Sequence, residues 1–426
     1  MDLLKRCRSV KSLTIAISLV ILASLIALVV FAIWWDWSPG DPAVTRATKL
    51  LMGTIRILPD DGRIVAVSES GDITQWDENS SPSAPVRRLD LQAPFIEAPL
   101  QIEPCQGDNT LLMIGRTATP GEPNSGRNLV VLSEHDLSLV KTFSFPCHAV
   151  FCVPTPGLIV ATGASTLKYA CAPGLHAWKL GDNNLMRLEP FLLSPQEGWI
   201  SSVVSAAPDA VLAHFHIPDQ YGSKEAGHTE LRLVAVPSWR TLRRVKLPPR
   251  RKGSWWRLKM ASGGRYAVLF APGVIEVYEI PTLKRVGMLV LAKEAPTPEH
   301  VAISSDGKHV AFGLIRLATW EVGSETFRVL DHLNWPKVSA GLKTIDPEFE
   351  RVAHDVLTKV YVEYQYTIAD MQFGTKPQEL LAVTRDGVFY RWDVVQGKQV
   401  SRKRIAKVKY FAIPKSGAAE EHTQNW

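Results

Sequence analysis

Residues 299–322 read Glu-His-Val-Ala-Ile-Ser-Ser-Asp-Gly-Lys-His-Val-Ala-Phe-Gly-Leu-Ile-Arg-Leu-Ala-Thr-Trp-Glu-Val. Apolar residues alternate on both sides of Ser305-Asp306-Gly307-Lys308, which predicts two antiparallel strands joined by a tight turn, with glycine where φ turns positive. A third short strand ends on Trp320. The pattern recurs at 57–77 around Asp60-Asp61-Gly62, ending Trp76-Asp77; at 258–279 around Ser262-Gly263-Gly264, ending Tyr278-Glu279; and at 371–393, ending Trp392-Asp393. Gly62 to Trp76, Gly264 to Tyr278 and Gly307 to Trp320 are 14, 14 and 13 residues apart. Units that repeat about every 40 residues, each with four short strands, bury their faces against one another in a ring, so the pattern predicts an all-β, seven-bladed β-propeller.

Working outward, the blades fall at about 47–91, 95–145, 146–195, 198–249, 252–291, 296–330 and 367–404, with residues 332–366 as an interruption. Residues 408–414 read as one more inner strand and compete with 53–58 for a slot in the first blade. Propellers often close by mixing strands from the two chain ends, which removes an exposed edge. Eight blades is the alternative count.

The chain has 426 residues, 46 % apolar and 21 % charged, which is globular composition and argues against disorder. Its net charge is +6, and half of that excess lies in the first twelve residues, where Lys5, Arg6, Arg8 and Lys11 stand against Asp2. The remainder is too nearly neutral for a nucleic-acid binder, and no nucleic-acid partner is expected. Between Ser12 and Trp35 no residue is charged, and as a helix this run is about 36 Å long, enough for a hydrocarbon core of roughly 30 Å. A cleaved secretory signal has a shorter apolar core and ends on small residues, whereas this run ends Phe31-Ala32-Ile33-Trp34-Trp35. The expectation is one transmembrane helix over 12–37, behind a cytoplasmic tail at 1–11. Trp34, Trp35 and Trp37 are its interfacial anchors, and the basic tail places everything after them outside the cytoplasm. A tether at 38–46, the propeller at 47–414 and a tail at 415–426 complete the division.

The repeats resemble the WD-repeat propeller family in its degenerate, bacterial-type form. The resemblance rests on Ala302-Ile303-Ser304-Ser305-Asp306-Gly307-Lys308 with Thr319-Trp320, on Trp76-Asp77 and on Trp392-Asp393. It implies a binding scaffold. No regular Gly-His pair precedes each blade, so the His and Asp tetrad of well-formed repeats is not expected here. The tryptophans closing the third strands read as packing between blades, because aromatics bring large buried area.

Chemistry-bearing motifs are sparse. His214-Phe215-His216 places two imidazoles on one strand face, but no third ligand stands at informative spacing, so no metal is expected. Cys147-His148 lacks an orienting acid, and no catalytic residue is assigned. There is no Walker loop, dinucleotide glycine motif, H-E-x-x-H or G-x-S-x-G, and no cofactor is expected. Outside the expected membrane span lie Cys105, Cys147, Cys152 and Cys171, an even count for a compartment that permits disulfides, with bridged and free states both open.

One surface feature stands out. Residues 240–259 carry Arg240, Arg243, Arg244, Lys246, Arg250, Arg251, Lys252, Arg257 and Lys259 with no acid, interleaved with Trp239, Trp255 and Trp256. Arg243, Arg244, Arg250, Arg251, Lys252, Trp255 and Trp256 form the candidate partner-binding set, for a protein or an anionic envelope component. The competing reading is edge protection, since outer strands commonly carry Lys and Arg, as Lys398, Arg402, Lys403 and Arg404 do here. Two functions follow: a membrane-anchored extracytoplasmic scaffold that binds protein or assembles the envelope, or a propeller enzyme of the quinoprotein or lactonase kind.

Overall fold

The computed structural model describes residues 53–58, 62–68, 72–77, 87–88, 101–105, 109–116, 127–145, 147, 149–152, 155, 157–163, 172–181, 184–194, 198–207, 209–218, 228–248, 256–292, 295–314, 316–332 and 367–406. These form seven antiparallel sheets, each built from one continuous part of the chain. Blade 1 holds β1 (Thr54–Ile57), β2 (Ile64–Val67), β3 (Asp72–Trp76) and β4 (Arg87–Arg88). Blade 2 holds β5 (Gln101–Cys105), β6 (Thr110–Arg116), β7 (Arg127–Ser133) and β8 (Leu139–Phe145). Blade 3 has β9 (Ala149–Cys152), β10 (Leu158–Gly163), β11 (Gly174–Leu180), β12 (Leu185–Arg187) and β13 (Phe191–Leu192). Blade 4 is β14 (Trp199–Ala207), β15 (Ala210–Ile217), β16 (His228–Ala235) and β17 (Thr241–Lys246). Blade 5 is β18 (Arg257–Met260), β19 (Tyr266–Ala271), β20 (Val274–Glu279) and β21 (Lys284–Val290). Blade 6 is β22 (His300–Ile303), β23 (His309–Gly313), β24 (Arg316–Glu321) and β25 (Phe327–His332); blade 7 is β26 (Ile368–Phe373), β27 (Glu379–Thr384), β28 (Val388–Asp393) and β29 (Lys398–Arg404).

The repeat is built from turns and aromatics. In blade 6 the Asp306 carboxylate accepts from the Ser304 hydroxyl at 2.7 Å and from the Lys308 amide at 3.1 Å, so one side chain closes the turn. Gly307 takes φ 72°, and a Cβ there would meet the Tyr266 ring at 2.6 Å. Blade 7 repeats the device with Thr384, Asp386 and Gly387, the last at φ 77°. In five blades the fifth residue of the third strand is a buried aromatic: Trp76, Trp178, Tyr278, Trp320 and Trp392. Each is sandwiched between blades, where it contributes area that no blade could bury alone.

The core is divided accordingly. One apolar cluster lies at each junction of consecutive blades, and the seventh joins blade 7 to blade 1 through Ile55, Ile57, Trp76, Ala369, Val383 and Phe389. The inner strands touch in order around the ring, with β26 against β1. Among the described residues each blade keeps its own strands, and β1 fills the inner slot of blade 1 for which 408–414 was a rival. That segment, the expected anchor and tether, the interruption over 333–366 and the C-terminal tail lie outside the described residues. So does a helix at 12–37; no helix among the described residues is long and apolar enough to cross a membrane.

Two details were not anticipated. The outer strand of blade 3 is split, because Pro190 has no amide to continue the ladder; β12 and β13 pair with opposite ends of β11. Five outer strands also carry a one-residue bulge, and the extra residue is always apolar: Val140, Leu242, Val286, Leu330 and Val400. A bulge bends the edge and breaks its ladder, which discourages edge-to-edge pairing.

Candidate functional site

Charged side chains gather at two places, the central channel and the outer edge of blade 4. In the channel they come from equivalent positions: Arg56, Glu103, Lys259 and Asp370 are each the third residue of their inner strand. Arg56 Nη2 lies 3.9 Å from Glu103 Oε2, and its Nη1 lies 3.8 Å from Asp370 Oδ1. Asp370 Oδ2 also accepts from the Ile57 amide at 2.8 Å, and Arg385 donates to the Gly53 carbonyl at 3.0 Å. These contacts tie blade 7 to blade 1 across the ring closure.

Burial sets the protonation of this group. Desolvation alone would lower the Arg56 guanidinium, but Asp370 and Glu103 outweigh it and carry it above its ordinary value. Burial raises the Glu103 carboxyl despite Arg56. It takes the Lys259 ammonium down to about 8, helped by the Arg56 charge and opposed by Asp370 and Glu103. His300, the first residue of β22, falls to about 4, chiefly through burial; Arg385 and Lys259 add to the drop, while Asp370 and Glu299 oppose it. Two basic and two acidic side chains thus share one level of the channel, with the His300 imidazole beside them. Sequence reading placed Lys259 in the basic cluster and passed over Arg56, Glu103 and Asp370, although a signal was present: Arg56, Lys259 and Asp370 each lie between apolar neighbours on an inner strand.

The outer edge of blade 4 holds part of the basic set found in the sequence. Arg243 and Arg244 are exposed on β17, whereas Trp256 is 5 % exposed and belongs to the core between blades 4 and 5. Trp256 is therefore corrected from surface anchor to packing residue: the blade junction offers its indole more apolar contact than the surface can. Trp239 donates its indole N–H to the Glu189 carbonyl and packs beside Phe191, which joins blade 4 to blade 3. Arg250, Arg251, Lys252 and Trp255 lie outside the described residues. Arg232, Thr241, Leu242, Arg243 and Arg244 line a shallow surface depression of about 460 Å³.

Register separates this edge from its counterpart on blade 7. On β29, Lys398 stands opposite Asp393, Arg402 lies over the Tyr390 ring at 5.8 Å, and Arg404 pairs with Asp386 at 3.8 Å. On β17, Arg244 stands directly opposite Arg232, and Arg243 opposite Leu233. Neither the Arg243 nor the Arg244 side chain makes an ion pair or hydrogen bond to a described residue. Lys246 stands opposite Glu230, whose carboxylate is already taken by His228 and Arg232, each at 2.9 Å.

The remaining sequence candidates are used for packing. His214 is buried with Nδ1 2.6 Å from the Ser201 hydroxyl, and His216 stacks on Trp199 at 4.8 Å. Among the described residues no group of three His, Cys, Asp or Glu is placed to hold a metal. Cys105 and Cys147 are each disulfide-bonded, which resolves one of the alternatives left open by the sequence.

No family profile matches the sequence, and no curated protein matches it. Solved structures do resemble it. The Cps50 (Swd1) β-propeller domain of Myceliophteria thermophila aligns over 80 % of this chain and 96 % of its own, at 13 % identity and a TM-score of 0.53. Hsv2 of Kluyvelomyces marxianus aligns over 80 % of this chain and 95 % of its own, at 8 % identity and a TM-score of 0.46. The first likeness is one of fold, and it agrees with a seven-bladed β-propeller.

Proposed function

We propose that this protein is a single-pass, membrane-anchored β-propeller that holds a partner protein on the extracytoplasmic side and acts by binding rather than by chemistry. The observation that carries this reading is the channel. A propeller enzyme of the quinoprotein or lactonase kind would use that funnel for its cofactor or metal, but here Arg56, Glu103 and Asp370 are committed to one another and to the backbone across the ring closure. What is left for a partner is the outer surface, and on it the basic edge of blade 4. Anchoring rests on the uncharged run from Ser12 to Trp35 behind a basic tail. The disulfide-bonded Cys105 and Cys147 agree with an oxidising compartment.

One observation favours the enzymatic alternative, a channel lysine with its ammonium lowered to about 8. Quinone absorbance or a stoichiometric metal in the purified full chain would support that reading instead. Topology is tested by a reporter fused after Trp426. Extracytoplasmic activity is expected, and cytoplasmic activity would overturn the orientation.

A further inference from the structure

Resting on that binding reading, we propose that the outer edge of blade 4 takes an extended acidic segment of the partner protein, its carboxylates seated at Arg232 and Arg244, which share one face of the sheet. Like charges directly opposite each other on neighbouring strands oppose sheet formation, yet Arg232 and Arg244 occupy such a pair. Edge protection needs one of these cations, not two guanidiniums opposite each other on one face. Arg232 is also held in advance: its Nε donates to Glu230 at 2.9 Å, and its guanidinium lies 4.4 Å from the centre of the Phe215 ring. A positioned guanidinium offers a carboxylate a planar, two-pronged partner, and ligand carboxylates would relieve the repulsion between Arg232 and Arg244.

The extended form of the ligand follows from the strand. β17 is the last strand of its sheet, and past the bulge at Leu242 its ladder with β16 is regular from Arg243 to Lys246. A peptide can pair with that edge, which no described strand occupies, while alternate side chains reach Arg244 and Arg232. A lipid headgroup or a free phosphate has no backbone to pair. Leu242, 38 % exposed among the residues lining the depression, offers contact to an apolar residue between two acidic ones.

The test uses the full chain in neutral phosphatidylcholine nanodiscs and a fluorescein-labelled peptide of alternating Glu and Val, read by anisotropy. Replacing Arg243 and Arg244 by Ser is expected to weaken binding about tenfold, and raising salt to weaken it further. Replacing Lys398 and Arg402 on β29 by Ser is expected to change it less than about twofold. Arg243→Glu with Arg244→Glu should bind the corresponding Lys-Val peptide instead, which a misfolded blade could not do. Equal losses from the two edges would overturn the proposal, as would no peptide binding, or preferential binding to phosphatidylglycerol vesicles that excess peptide does not displace. If the Ser variant still captures its partner in membranes, the scaffold reading stands and this site falls; capture of no partner by either form overturns both.

Discussion

The channel and the outer edge of blade 4 use the same residue types to opposite ends. In the channel Arg56 lies between Glu103 and Asp370, so the guanidinium has acidic partners on both sides. At the edge Arg244 faces Arg232, and nothing described offsets Arg243. Removing one member of a buried pair strands its partner in low dielectric, whereas removing an exposed cation leaves water in its place. Charge pairing thus separates a cluster that serves the fold from one in which Arg243 and Arg244 have no described counterion.

Substitutions can sharpen or break that contrast. Trp320→Ala sets the scale for packing alone: the indole is fully buried between blades 5 and 6, and its loss is expected to cost about 3–5 kcal/mol in denaturant unfolding. Asp370→Ala should cost about 3 kcal/mol, since it removes the Ile57 acceptor and one partner of Arg56 at the ring closure. A change under about 0.5 kcal/mol would mean that the channel charges do not hold the ring, and the contrast would fail.

A pH series probes the same cluster. His300 releases its proton at about 4 in the ring but near 6.5 in the unfolded chain. Between these values the unfolded chain binds more protons, so the His300 contribution is present above about 6.5 and is lost as the pH falls to about 4, by up to about 3 kcal/mol. Glu103, raised by burial, acts with the opposite sign, so the comparison is between the native chain and His300→Gln. The native chain should lose more stability than the variant over this window, and parallel curves would place His300 in water. The smallest effect belongs to the edge: Arg243→Ser with Arg244→Ser should leave the unfolding midpoint within about 0.5 kcal/mol of native stability. A larger loss would return these residues to the fold.

Much of this architecture was legible in the sequence, because the blade is a local device. The Gly307 turn, the alternation around it and the aromatic thirteen residues later all lie within one hairpin and its next strand, so spacing alone exposes them. Ring closure was not legible, since it depends on Asp370 meeting Ile57 across the length of the propeller. The split strand of blade 3 could have been read from Pro190. Trp256 was misassigned because burial at a blade junction is decided by the neighbouring blade, whereas its sequence neighbours, Trp255 and Arg257, suggest a surface. Half of the candidate site was visible as a run of cations. The decisive part, Arg232 opposite Arg244, required the register of β16 and β17.

Leu242 and Val400 occupy equivalent bulges on the outer strands of blades 4 and 7 and are both exposed. A photo-crosslinking residue placed at each position in turn, in the full membrane-embedded chain, asks directly which edge holds the partner. The predicted result is a discrete crosslinked protein from position 242, lost when Arg243 and Arg244 are also replaced by Ser, and none from position 400. The same product from both positions, or from 400 alone, would contradict a partner held by Arg232 and Arg244 of blade 4.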